Sequence, residues 1–230
     1  MWQVFESVYS HVSWERFNDD LDHKDHVILL QDEGEIRGFS TVTVDRVDLR
    51  GRSVVSIFSG DTVIEPSYRG QTALQWAFFR YIVATKLRNP NKLVVWFLIS
   101  KGYKTYLLLS RNFTTYFPRR DHPTPPWAEE LIRQLATQRF GDALDPTSLV
   151  LRFGEDADRL RATAAPIAGQ TDPDIRFFAA HNPGHAQGEE LCCVGVVNSH
   201  LMLAYPAKLL RSAWRRAGAS SAHGQSRTRP

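Results

Sequence analysis

The sequence predicts an α/β (α+β) fold with a mixed, mostly antiparallel central sheet flanked by helices. Three observations carry this. Three strand-like runs follow one another between residues 26 and 64 with only short polar turns between them, which makes an antiparallel meander. A long amphipathic run follows over residues 72–88. The next run, LVVWFLI at 93–99, is apolar without alternation, as a strand covered on both faces must be.

The elements follow in order. Residues 14–21, WERFNDDL, read as the end of an N-terminal helix. The acids Asp19, Asp20, Asp22 and Asp25 in and after it read as a solvated helix end rather than a metal site. HVILLQD is a short strand, and DEGE turns at Gly34. IRGFSTVTVDRV alternates apolar and polar residues, the mark of one wet face. RGR turns at Gly51, and SVVSIFSGDTVI is the third strand, with SGD as a bulge. The helix over 72–88 puts Leu74, Ala77, Phe78, Tyr81, Ile82 and Thr85 on one side, and Pro90 bars its continuation. SKGYKTYLLL reads as a short helix capped by Ser100. After the prolines at 118, 123, 125 and 126, WAEELIRQLATQRF and EDADRLRATAAPI read as two inserted helices. DIRFFAA and LCCVGVV read as two late strands joined by the turn-rich HNPGHAQGEE. SHLMLAYPAKLLRSAWRRA reads as helical with a break at Pro206. The expected organisation is one domain over residues 1–205, with a helical insertion at 121–170 before the last two strands, and a basic tail at 206–230.

Composition narrows the function classes. Hydrophobic residues make up 43% and charged residues 23%, ordinary values for a soluble globular chain. No run is long and apolar enough to span a bilayer, and the N-terminus has no basic start followed by an apolar core, so cytoplasm is the expected compartment. The only cysteines, Cys192 and Cys193, are adjacent and form neither a disulfide framework nor a zinc pattern. HNPGHAQGEELCC gathers His181, His185, Glu189 and Glu190, but Pro183 and Gly184 interrupt any helix that would align the two imidazoles. This stretch reads as a loop over a substrate cleft, and no metal is expected. Six of the positive charges lie from Lys208 onward with no acid among them, so the formal charge of +3 leaves the rest of the chain at −3. That Ser/Ala/Gly-rich tail reads as a solvated, disordered end.

The turn EPSYRGQTALQ sits between the third strand and the long helix, and an apolar strand and a tyrosine-bearing short helix follow. Over residues 36–113 this order resembles the GNAT acyltransferase superfamily. The resemblance implies that the strand and helix form an acyl-CoA (or acetyl-CoA) site, with amides at a helix N-terminus holding the donor's pyrophosphate. Carried onto this chain, Arg69, Gly70, Gln71, Thr72, Ala73 and Leu74 would be that cradle, and the backbone of Val63 and Ile64 would meet the donor. Arg69, Gly70 and Gln71 fit the pattern. Thr72 stands where the family has its first signature glycine, and Leu74 where it has glycine or alanine.

The implied activity is acyl transfer to an amine of a small molecule. It needs a base for the amine, for which Asp61 and Glu65 are nearest, and a proton donor for the leaving thiolate, for which Tyr106 fits, with Tyr103 one turn away. A second reading keeps the fold and changes the donor to an aminoacyl-tRNA or acyl-carrier protein. Its motive is KGYKTYLLLSRNFTTYFPRR, which interleaves basic and aromatic residues. A third is a non-catalytic ligand-binding protein, since the cradle is short of glycine.

Overall fold

The structure, a computed structural model, describes residues 1–70, 72–153, 159–160 and 167–207. The chain opens with α1 (Trp2–Val8), the two-residue strand β1 (Tyr9–Ser10) and α2 (Trp14–Asp22). The meander follows as β2 (His26–Asp32), β3 (Glu35–Leu49) and β4 (Arg52–Ile64). Then come α3 (Ala73–Arg88), β5 (Leu93–Ser100), α4 (Tyr103–Ser110), β6 (Tyr116–Phe117) and α5 (Pro126–Phe140). The short strands β7 (Leu144–Asp145), β8 (Val150–Leu151) and β9 (Arg159–Leu160) precede α6 (Pro173–His181) and β10 (Glu190–Val196). A helix over 199–207 ends the described residues.

The main sheet runs β2-β3-β4-β5-β10-β8-β7, with β6 on β10. Its pairings are antiparallel apart from β4 with β5, which is parallel. Both meander hairpins close through two-residue loops with positive φ at each residue, 51° and 82° at Glu33 and Gly34, 54° and 77° at Arg50 and Gly51. These are type I′ turns, whose twist matches that of the strands they join. One sheet face packs on α3, α4 and α6, burying Val55, Ile57, Val94, Leu98, Ile82 and Leu109. The other packs on α5 through Val54, Phe58, Phe97, Leu131 and Leu135, and on α1 and α2 through Phe5, Phe17, Phe39 and Val63.

Several elements differ from the sequence expectation. DIRFFAA is helical, not a strand: Asp172 caps α6 by accepting from the Asp174 amide at 2.9 Å, Pro173 opens the first turn, and Ile175 and Phe178 bury one face. Among the described residues one late strand, β10, therefore follows the insertion. Ser100 ends β5 rather than capping α4, whose N-cap is Gly102. WERFNDDL is a helix of its own, capped by the Ser13 hydroxyl on the Arg16 amide, and α1 precedes it. The last described helix runs through Pro206. Within the insertion α5 is helical and β7 and β8 extend the sheet. Of the second expected inserted helix, residues 159–160 pair with β1 as a strand, and the remainder up to 166 lies outside the described residues, as does the tail from 208.

Candidate functional site at the fork of the sheet

β4 and β5 pair from Val54↔Leu93 to Phe58↔Phe97 and then part. β5 stays with β10, placing Leu98, Ile99 and Ser100 opposite Cys193, Cys192 and Leu191. β4 stays with β3, placing Thr62, Val63 and Ile64 opposite Ser40, Phe39 and Gly38. The cause lies in β4 itself. Its register shifts between Ser40↔Thr62 and Val42↔Ser59, so Gly60 and Asp61 together oppose Thr41. Such a bulge bends the strand that carries it and increases its twist. Glycine fits this spot because a Cβ on Gly60 would sit 2.6 Å from Thr41 Oγ1.

A cavity of about 530 Å³ opens at the fork. It reaches both faces of the sheet. Phe58, Ile99 and Glu190 line it on the face of α1, α2 and α5; Ser59, Trp96, Leu98, Thr105 and Leu108 line it on the face of α3 and α4. At the point of divergence the Trp96 indole Nε1 donates to Ser59 Oγ at 3.0 Å.

Acids and bases face this space. Glu190, 8% exposed at the start of β10, lies with Oε1 3.2 Å from Lys101 Nζ. Burial pushes its carboxyl above the usual carboxylate range, and the Lys101 ammonium acts in the opposite sense. Asn182, fully buried, donates from Nδ2 to Glu189 O at 2.9 Å and to Ser100 O at 3.3 Å. This pins the loop ahead of Glu190 to the end of β5. Asp61 joins the wall from the bulge, and Asp20 pairs with Lys24 at 2.6 Å on the side of α2. Thr41 Oγ1 is buried at the bulge with no hydrogen-bond partner among the described residues.

The expected site residues divide. Asp61 lines the cavity. Glu65 does not: it faces a separate depression beside Arg37, with Oε2 3.5 Å from Arg37 Nη1. The Glu65 amide donates to Arg37 O at 2.9 Å. By the alternation of an antiparallel ladder the Val63 amide also turns toward β3, whereas those of Thr62 and Ile64 turn toward the side that β5 has left. Of the expected pair, Ile64 therefore offers its amide to the fork and Val63 does not.

Tyr106, expected as the proton donor, lies in the core. It has no exposed surface, its hydroxyl donates to Pro118 O at 3.0 Å, and its ring packs on Phe177, Phe178 and Tyr116. Burial holds the phenol far above its ordinary pKa. Tyr106 is not among the residues lining the cavity at the fork, to which α4 contributes Thr105 and Leu108. In the turn before α3, Arg69 and Gly70 are exposed, and Arg69 Nε lies 3.4 Å from Ile64 O. Thr72 occupies the N-cap of α3 without a side-chain cap bond, Ala73 is exposed, and Leu74 is buried in the core. Gln71 lies outside the described residues.

In the basic and aromatic stretch Tyr103 is half-buried and Lys104 exposed. Tyr106, Phe113, Tyr116 and Phe117 are buried. Arg111, Arg119 and Arg120 pair with Asp172, Asp121 and Asp174 at 3.0, 2.5 and 2.9 Å. HNPGHAQGEELCC does not converge: His181 stacks on Phe177, the two buried thiols point to opposite sheet faces, and burial pushes Cys193 up to about 12. Among the described residues no three metal-ligating side chains gather, and no helix is long and apolar enough to cross a membrane.

Glu190 was the residue sequence reasoning missed as a cavity group. Its signal was an acid directly preceding a wholly apolar strand, where a charge is costly unless the site uses or pairs it.

The chain matches no protein-family model and no curated protein sequence. Solved structures to which it is similar in part include the following. A conserved protein of unknown function from Enterococcus faecalis V583, described as a probable N-acyltransferase, is 19% identical over 43% of this chain, with a TM-score of 0.34. The match spans 25% of that protein's length. An acetyltransferase of Trypanosoma brucei is 22% identical over 48% of this chain and 75% of its own, with a TM-score of 0.29. The KacTA–DNA complex is 16% identical over 56% of this chain and 89% of its own, with a TM-score of 0.33. At these TM-scores none of the three carries a functional argument, which rests on the geometry of the fork.

Proposed function

We propose that this protein is an N-acyltransferase that brings an acyl thioester and an amine together at the fork between β4 and β5. The observation that carries the proposal is a cavity at the fork lined by residues from both faces of the sheet. Two substrates can approach such a space from opposite sides and meet in the plane of the sheet, with water displaced and the reacting atoms held close. The donor proposed is an acyl-CoA. The amides of Thr62 and Ile64 on the parted edge of β4 can bind its amide-bearing arm as an added strand would, and Arg69 supplies positive charge beside that edge.

In the reaction the amine nitrogen forms a bond to the thioester carbonyl carbon. The carbon–sulfur bond breaks with its electron pair on sulfur. The nitrogen gives up one proton to Asp61 or Glu190, and the thiolate takes up one proton from solvent. The products are an amide and a free thiol. Glu190 is taken as the acceptor because its carboxyl is buried in the cavity wall.

The test is thiol release from acetyl-CoA and longer acyl-CoAs in the presence of an amine panel. Amine-dependent thiol release that falls at least tenfold in Glu190→Gln is expected. The proposal is overturned if no acyl-CoA is bound and no thiol appears with any amine.

A further inference from the structure

Resting on the transferase reading, we infer that the acceptor is an arylalkylamine, a primary amine joined to an aromatic ring by a short alkyl chain. Two aromatic runs border the cavity on the face of α1, α2 and α5. One comes from the N-terminal helices and the segment after them, where the Phe5 ring lies 4.9 Å from Phe17 and 4.8 Å from Tyr9. The other comes from β4, α5 and the segment after β8, where Phe140 lies 5.9 Å from Phe58 and 5.8 Å from Phe153. A flat ring between such runs gains offset-stacked or edge contacts in addition to buried area.

The charges in the same cavity point the same way. Its wall carries three acids, Asp20, Asp61 and Glu190, and three bases, Arg16, Lys24 and Lys101. Lys24 is held by Asp20, and Lys101 by Glu190. A polyamine would need a surplus of acids, and a phosphorylated acceptor a surplus of bases; this wall has neither. A single uncharged amine, the form that attacks a thioester, suits such a balanced wall, and Glu190 lines the cavity together with the aromatic rings. The volume of about 530 Å³ lies within the range of about 300–1,000 Å³ typical of small-molecule pockets.

Phe153 is the residue to perturb, since it is 38% exposed and its truncation does not threaten the core. The experiment is isothermal titration of the full chain with 2-phenylethylamine, tryptamine, cadaverine and spermidine, each with and without CoA present. The arylalkylamines are expected to bind at least tenfold more tightly than either aliphatic amine in at least one arm, with a fivefold or greater loss in Phe153→Ala. Equal or weaker binding of the arylalkylamines, or affinity unchanged in Phe153→Ala, overturns the inference. Failure of CoA to bind while the arylalkylamines do strikes the donor reading alone. CoA binding without aryl preference strikes this inference alone.

Discussion

Replacing Tyr106 by phenylalanine separates a core tyrosine from a catalytic one. The change keeps the ring and its contacts with Phe177, Phe178 and Tyr116, and deletes one hydroxyl that donates to Pro118 O at 3.0 Å. Tyr106 is fully buried, so no water takes the lost donor's place. Deleting a neutral hydrogen bond costs about 1 kcal/mol, and leaving a buried acceptor without its donor raises this to about 1–3 kcal/mol. In a chain of this size each kcal/mol moves the melting temperature by about 2–4 °C, so a fall of roughly 2–12 °C is expected. The assay pairs a thermal melt followed by circular dichroism with initial rates of thiol release below the melting range. The rate is expected to stay within about threefold of wild type, because the hydroxyl does not face the fork. An unchanged melting temperature with a tenfold or greater loss of rate would refute this placement and restore the phenol as the proton donor to the leaving thiolate.

Gly195→Ala tests the packing of β10 under α4. A Cβ there would lie 2.7 Å from Phe113 Cδ1 and 2.8 Å from Leu109 Cδ2, so overpacking should cost about 1–3 kcal/mol, read by urea denaturation; a neutral result contradicts the packing described. Glu190 makes stability depend on pH in a defined direction. Its folded pKa is raised by burial, so the native state holds the proton more tightly than the unfolded chain. Its contribution is therefore fully present below the unfolded carboxyl value of about 4.3 and is lost as pH rises through the folded value. Melting temperatures measured from pH 4 upward should show wild type losing stability relative to Glu190→Gln over that window, and parallel curves would contradict a buried Glu190.

Much of the fold was legible because its signals are local. The turns at Gly34 and Gly51 separate strands of clear alternation, Pro90 ends α3, and SGD marks the bulge that opens the fork. The element misread, DIRFFAA, has a strand-like density of apolar residues. Its cap, Asp172 followed by Pro173, was the local sign of a helix, and the preceding turn residues masked it. The site was less legible because it depends on which side of an element meets which neighbour. Tyr106 and Thr105 are adjacent on one short helix, yet one is sealed in the core and the other faces the cavity. Asp61 sits in the bulge of β4 and Glu65 just past the strand's end, and of the two only Asp61 lines the cavity at the fork. Glu190 and Lys101 are far apart in sequence and meet because β10 pairs with β5. The ion pairs of Arg111 and Arg120 were not legible either, because their partners, Asp172 and Asp174, come from a segment distant in sequence.

The central claim is that the parted edge between β4 and β5 receives the acyl donor. Isothermal titration of acetyl-CoA into wild type and Ser59→Phe addresses it directly, since Ser59 stands at the fork and a phenyl group there fills the space the donor would enter. One saturable site in wild type, weakened at least tenfold in a Ser59→Phe protein of unchanged far-ultraviolet circular dichroism, is the predicted result. Equal affinity in both proteins, or no binding to either, would contradict it.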